Sequence, residues 1–150
     1  MDAILKLSKI NYAYHSYEGE TKALSDISFS VSSGEFTAIV GPSGCGKSTL
    51  LSLIAGLLKP EKGEITICGK TLDESTVNVG YMLQHDHLFE WRSVYRNILL
   101  GLEIQHKVNA QTRKKADALL EQYGLKNFRN AKPSDLSGGM RQRAALILSL

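Results

Sequence analysis

Apolar residues follow two rhythms along the chain. In the first third they come as short runs: residues 3–7 (AILKL), residues 27–31 (ISFSV) with strict alternation, and residues 36–40 (FTAIV) without it. Alternation predicts a strand with one buried face, and an unbroken apolar run a strand covered on both. Ser33-Gly34 predicts a turn between the last two runs, and Gly41 ends the buried strand. From Ser48 the rhythm changes: Leu50, Leu51, Ile54, Leu57 and Leu58 recur at helical spacing, with Pro60 just past the end. Strands return at residues 64–68 (EITIC) and 79–83 (VGYML). Beyond Gln84 the pattern is helical. Ala116, Leu119, Leu120 and Tyr123 make an i, i+3, i+4, i+7 stripe that Gly124 closes, and Leu136-Ser137-Gly138-Gly139 opens a last helix. The predicted class is α/β, a mixed sheet core of about 1–84 and 137–150 with an inserted helical subdomain of about 85–136.

Composition narrows the function. The 150 residues carry a net charge of +3, too small and too scattered for the basic face that nucleic acid requires, so no nucleic-acid partner is expected. No apolar run reaches the roughly 18–20 residues of a membrane span, which leaves any membrane link to a partner. The start, Met1-Asp2-Ala3-Ile4-Leu5-Lys6, lacks the basic and apolar regions of a secretory signal. Cys45 and Cys68 form no disulfide framework and are expected as free thiols in a reducing compartment.

Residues 41–48, Gly-Pro-Ser-Gly-Cys-Gly-Lys-Ser, fit G-x-x-x-x-G-K-[ST] between a predicted buried strand and a predicted helix. Phosphate binding needs those types at that spacing. Main-chain N–H groups must converge on phosphate oxygens, and Gly41, Gly44 and Gly46 leave that approach open. The helix adds its free N–H groups and positive dipole end. Lys47 supplies a point charge for the β- and γ-phosphates, and the Ser48 hydroxyl a hard oxygen for Mg²⁺. Cys45, with no resolving cysteine nearby, reads as a small residue that the loop tolerates rather than as a redox switch. A second anion site is readable at Ser137, placed to cap a helix carrying Met140, Ala144 and Ile147 on one stripe, with Gly138-Gly139 exposing its first N–H groups.

Two further stretches narrow the family: Val79-Gly80-Tyr81-Met82-Leu83-Gln84, followed by Leu88-Phe89-Glu90-Trp91-Arg92 and Asn97, and Leu136-Ser137-Gly138-Gly139-Met140-Arg141-Gln142-Arg143. With residues 41–49 they resemble the P-loop, Q-loop and LSGGQ-type signature of the ATP-binding subunits of ABC transporters, from Tyr12 to Leu150. Met140 stands where the commonest signature has Gln, a form similar to importers of the nitrate, sulfonate and taurine group.

The resemblance implies an ATPase at the cytoplasmic side of the cell membrane, peripheral, working with transmembrane permease subunits and a solute-binding protein to import a small anionic solute. It implies ATP and Mg²⁺ as cofactors, held by Gly41, Pro42, Ser43, Gly44, Cys45, Gly46, Lys47, Ser48 and Thr49, with Ser48 and Gln84 as the Mg²⁺ ligands and Lys47 and Gln84 as catalytic residues. Tyr14 is expected to stack on adenine, with Tyr12 and Tyr17 as alternatives. Ser137, Gly138 and Gly139 would meet the γ-phosphate of a second copy in a head-to-tail homodimer. His85 and His87, two ligand types without a third, read as a solvated loop, and no transition metal is expected. After the signature helix the family has an Asp-Glu strand, the Walker B pair, and a switch histidine. None of the fifteen acidic residues here replaces that pair: Glu103 follows a run interrupted by Gly101. The expectation is a chain truncated before the Walker B strand and inactive alone. The competing readings are a non-catalytic nucleotide-binding fragment and a soluble, non-transport ABC ATPase, the latter disfavoured because no coiled-coil or basic insertion lies between Gln84 and Leu136.

Overall fold

The computed structural model describes residues 3–17, 19–72 and 79–149, so Met1, Asp2 and Leu150 of the stretches above lie outside it. These residues form two compact units, Met1–Val79 and Gly80–Leu150.

The first unit is an antiparallel sheet with one helix. Strand β1 (Ala3–Ser16) pairs along its length with β2 (Gly19–Ser32), and on its other side with β3 (Lys62–Ile67), which turns into β4 (Lys70–Thr71). The order is β2-β1-β3-β4. Strands β1 and β2 are longer than the apolar runs at 3–7 and 27–31, because cross-strand hydrogen bonds carry the pairing through polar residues such as Lys22 and Thr21. Helix α1 (Lys47–Ile54) lays Leu50 and Leu53 into a core with Leu7, Ile10, Leu24 and Ile65.

Two expected strands are absent. Residues 36–40 and 79–83 form no strand and pair with none among the described residues, so the sheet seen here is antiparallel rather than mixed. Phe36 and Val40 are almost fully exposed, and Met82 and Leu83 are exposed as well. A strand exists only through its neighbours, and an apolar run without them stays open to solvent. The first predicted helix is also shorter than its pattern: α1 ends at Ile54 and Leu57 beyond it is exposed, as is Leu51 within it, while Leu58 still packs on the core.

The second unit is helical: α2 (Val94–Ile98), α3 (Leu100–Ile104), α4 (Ala110–Gln122) and α5 (Gly138–Ser149). Asn109 starts α4 through reciprocal bonds with Thr112, and Gly124 follows its end at φ +69° as the stripe requires. Ala116 and Leu120 of that stripe are buried against Val94, Leu99, Ala144 and Ile147. Helix α5, whose residues the sequence groups with 1–84, therefore packs within this unit: its apolar stripe finds its partners on α2 and α4.

Candidate functional site

The phosphate-loop sequence is lodged against the sheet at one point of close approach. Gly46 caps α1 at φ +91°, and a Cβ there would lie 2.5 Å from the Ala23 carbonyl oxygen of β2. No other residue type fits both the left-handed backbone and that gap. At Gly41 an added Cβ would meet the Cys45 sulfur at 2.7 Å, whereas Gly44, at φ +81°, faces open space. The Lys47 ammonium donates to the main-chain oxygens of Gly41 (2.7 Å) and Pro42 (2.6 Å), so the cation is held over its own loop. It also lies 3.5 Å from the Cys45 sulfur. Ser43 and Ser48 are exposed beside it, and Thr49 is buried.

Thr49 binds Tyr14. The two hydroxyl oxygens are 3.0 Å apart, which fixes the half-exposed Tyr14 ring next to the head of α1. Tyr12 meets that ring edge-on at a centroid distance of 5.1 Å and packs on the core, while Tyr17 is fully exposed. Of the three tyrosines considered from sequence, Tyr14 is thus the one with both an open ring face and a bond to the loop's helix.

In the second unit, Ser137 caps α5: its carbonyl accepts from the Arg141 N–H at 2.9 Å, and its hydroxyl from the Met140 N–H at 3.4 Å. A Cβ added at Gly138 or Gly139 would meet nothing within 4 Å. Gln84 is exposed at the start of an irregular segment, 84–93. The His85 and His87 rings lie edge to face with centroids 6.2 Å apart, and no group of three metal-ligating side chains exists among the described residues.

Two features of this segment escape the sequence patterns. Asp86 receives the Arg141 guanidinium of α5, with Nε 2.8 Å from Oδ2 and Nη2 3.4 Å from Oδ1. That bond holds the Asp86 carboxyl below the usual carboxylate range, against the opposing effect of desolvation, and raises Arg141. Asn97, fully buried on α2, accepts from the Phe89 N–H at 2.8 Å and donates to the carbonyls of Phe89, Arg92 and Ser93. It thereby folds the turn that presents Phe89 against an exposed Trp91, their rings 4.6 Å apart. A polar residue amid the buried Val94, Tyr95 and Ile98 was the available signal for Asn97; nothing in the sequence pairs Asp86 with Arg141.

Residues 24–150 match the family model described as ABC transporter. The chain is 43% identical over 148 residues to the uncharacterized ABC transporter ATP-binding protein YtlC of Bacillus subtilis, covering 99% of this chain and 57% of that one. It is 41% identical over 142 residues to the taurine import ATP-binding protein TauB of Pelagibacter ubique, covering 94% of this chain and 54% of that one. The chain thus spans about half the length of the curated relatives it matches. Among solved structures, the dimeric post-hydrolysis state of the ATP-binding cassette MJ0796 bound to ADP and Pi superposes with a TM-score of 0.85 at 31% identity, covering 97% of this chain and 68% of that one.

Proposed function

The chain belongs to the ABC transporter family, and from that premise we propose that it is the nucleotide-binding part of an ATPase subunit. This subunit would drive import of a small anionic solute of the nitrate, sulfonate or taurine kind through separate permease subunits. The observation that carries the reading is the loop 41–49. Gly46, whose Cβ would clash with the Ala23 carbonyl, seats it on β2, and its lysine ammonium is held over two main-chain carbonyls. A nucleoside triphosphate would offer that ammonium anionic oxygens in place of neutral ones, and the N-terminal N–H groups of α1 would face the same charge.

The roles follow from this reading. Gly41, Pro42, Ser43, Gly44, Cys45, Gly46 and Thr49 would frame the phosphates, and Tyr14 would stack on the base. Ser48 and Gln84 each carry a neutral oxygen donor, the ligand type that Mg²⁺ takes. Those two residues would hold the ion, which offsets triphosphate charge when bound. Lys47 would steady the phosphoryl group being transferred and Gln84 would orient the attacking water. No carboxylate of residues 1–150 is assigned to activate that water, so turnover is proposed for the full-length protein and nucleotide binding alone for this stretch.

Gly138 and Gly139 face open space, so the chain's own packing does not demand glycine there. Close approach from outside would, and the proposed visitor is the triphosphate on the P-loop of a second copy, in a homodimer with two such sites. The exposed Phe89–Trp91 pair is proposed to meet the permease, with a solute-binding protein on the far side of the membrane. No helix among the described residues is long and apolar enough to cross a membrane, and a peripheral place at its cytoplasmic face is proposed. Light scattering on the full-length protein tests the reading. With Mg-ATP under non-hydrolysing conditions the monomer should convert to a dimer, and Lys47→Ala should stay monomeric; a wild-type protein that remains monomeric with ATP would contradict the two-copy site.

A further inference from the structure

We infer that Asp86 and Arg141 are positioning residues: their bridge fixes the first turn of α5, and so Gly138-Gly139, to the segment that begins at Gln84. The inference rests on the functional reading above and adds to it a mechanical link between two of its parts. Asp86 lies two residues beyond Gln84, and Arg141 three beyond Gly138, one helical turn away.

The contact has a direction as well as a charge. Two guanidinium nitrogens reach the two Asp86 oxygens, and Nη2 also comes within 3.7 Å of Glu90 Oε1 further along the same segment. Asp86 Oδ1 in turn accepts from the Leu88 N–H at 3.3 Å, which ties the carboxylate to the buried Leu88. Arg141 is anchored at its own end, since its N–H is bonded to the Ser137 carbonyl. A planar fork meeting a carboxylate at two points resists rotation, which a lysine ammonium in the same place would not.

Partly exposed ion pairs add little to global stability, so the value of this one is geometric. Segment 84–93 has no helix or strand to stiffen its first residues, while α5 is a continuous helix of 12 residues. A displacement at Gln84 therefore reaches the N–H groups at the head of α5 through the Asp86–Arg141 fork, and from there the proposed composite site.

The test uses the full-length protein and separates turnover from binding. Asp86→Asn keeps the shape of the side chain and removes its charge; Arg141→Lys keeps the charge and removes the fork. Each should lower kcat about tenfold, within the usual range of coupling between sites, while the Kd for Mg-ATP measured by calorimetry and the melting temperature stay near wild type. The double variant should lose no more than either single one, because both break the same link. Wild-type kcat in either single variant, additive losses in the double, or a parallel loss of ATP binding would each overturn the link. Failure of the unmodified protein to hydrolyse ATP would instead overturn the functional reading beneath it.

Discussion

Two helices of this chain begin at glycines that sequence reads as anion-binding, and they are built in opposite ways. At the head of α1, Gly46 is pressed against the Ala23 carbonyl with a left-handed backbone, and no side chain caps the helix. At the head of α5, Gly138 and Gly139 touch nothing, and the Ser137 hydroxyl supplies the cap. The first glycine is required by the fold itself. The second pair is not, and under the proposed function its glycines leave room for the triphosphate of a second copy. One loop is preformed by packing; the other is a free end kept in place by a cap and by the Arg141–Asp86 bond behind it.

Substitutions can break that contrast. Gly46→Ala should be the most damaging, with the φ strain and the clash at Ala23 together costing about 3 kcal/mol. Urea denaturation of the full-length protein should show it as a fall in the midpoint. Asn97→Ala should cost about 2 kcal/mol, because the buried Phe89 N–H and the carbonyls around it lose their partner; thermal unfolding is the check. Gly139→Ala should do the reverse of Gly46→Ala. As an open helical position it should gain a few tenths of a kcal/mol or up to about 1 kcal/mol in stability, while ATP turnover falls about tenfold, roughly 1.4 kcal/mol in the barrier. A stable Gly46→Ala protein, or a Gly139→Ala protein with full turnover, would erase the distinction between the two helix heads.

The smallest effect concerns pH. The Asp86 carboxyl is held low by Arg141, so the folded state binds this proton less readily than the unfolded chain does. Its stabilisation is therefore complete above the ordinary carboxylate range, about pH 4, and is lost as the pH falls through the lowered folded value. An acid titration followed by circular dichroism should show Asp86→Asn slightly less stable than wild type at pH 7, by well under about 1 kcal/mol, with the difference vanishing as the pH falls below about 4.

Helices were legible in this sequence and long-range pairings were not, for a physical reason. The stripe on α4, its Gly124 end and the Ser137 cap are decided within a few residues, since helical hydrogen bonds close locally. Residues 36–40 read as a buried strand because Phe-Thr-Ala-Ile-Val suits one, yet a strand needs partners, and none among the described residues supplies them. The same locality governs the site. The phosphate-loop motif and Tyr14 could be named from spacing and resemblance, whereas the Thr49–Tyr14 and Asp86–Arg141 contacts join residues 35 and 55 apart with no pattern between them. Asn97 sat in plain view among apolar neighbours, but the loop it organises closes eight residues upstream.

The central claim is that the Lys47 loop grips a nucleoside triphosphate, and titration calorimetry on the full-length protein addresses it directly. Mg-ATP should bind with a saturable heat, and Lys47→Ala, a protein with an unchanged melting temperature, should give none. Equal heats from the two proteins, or no heat from either, would contradict the account.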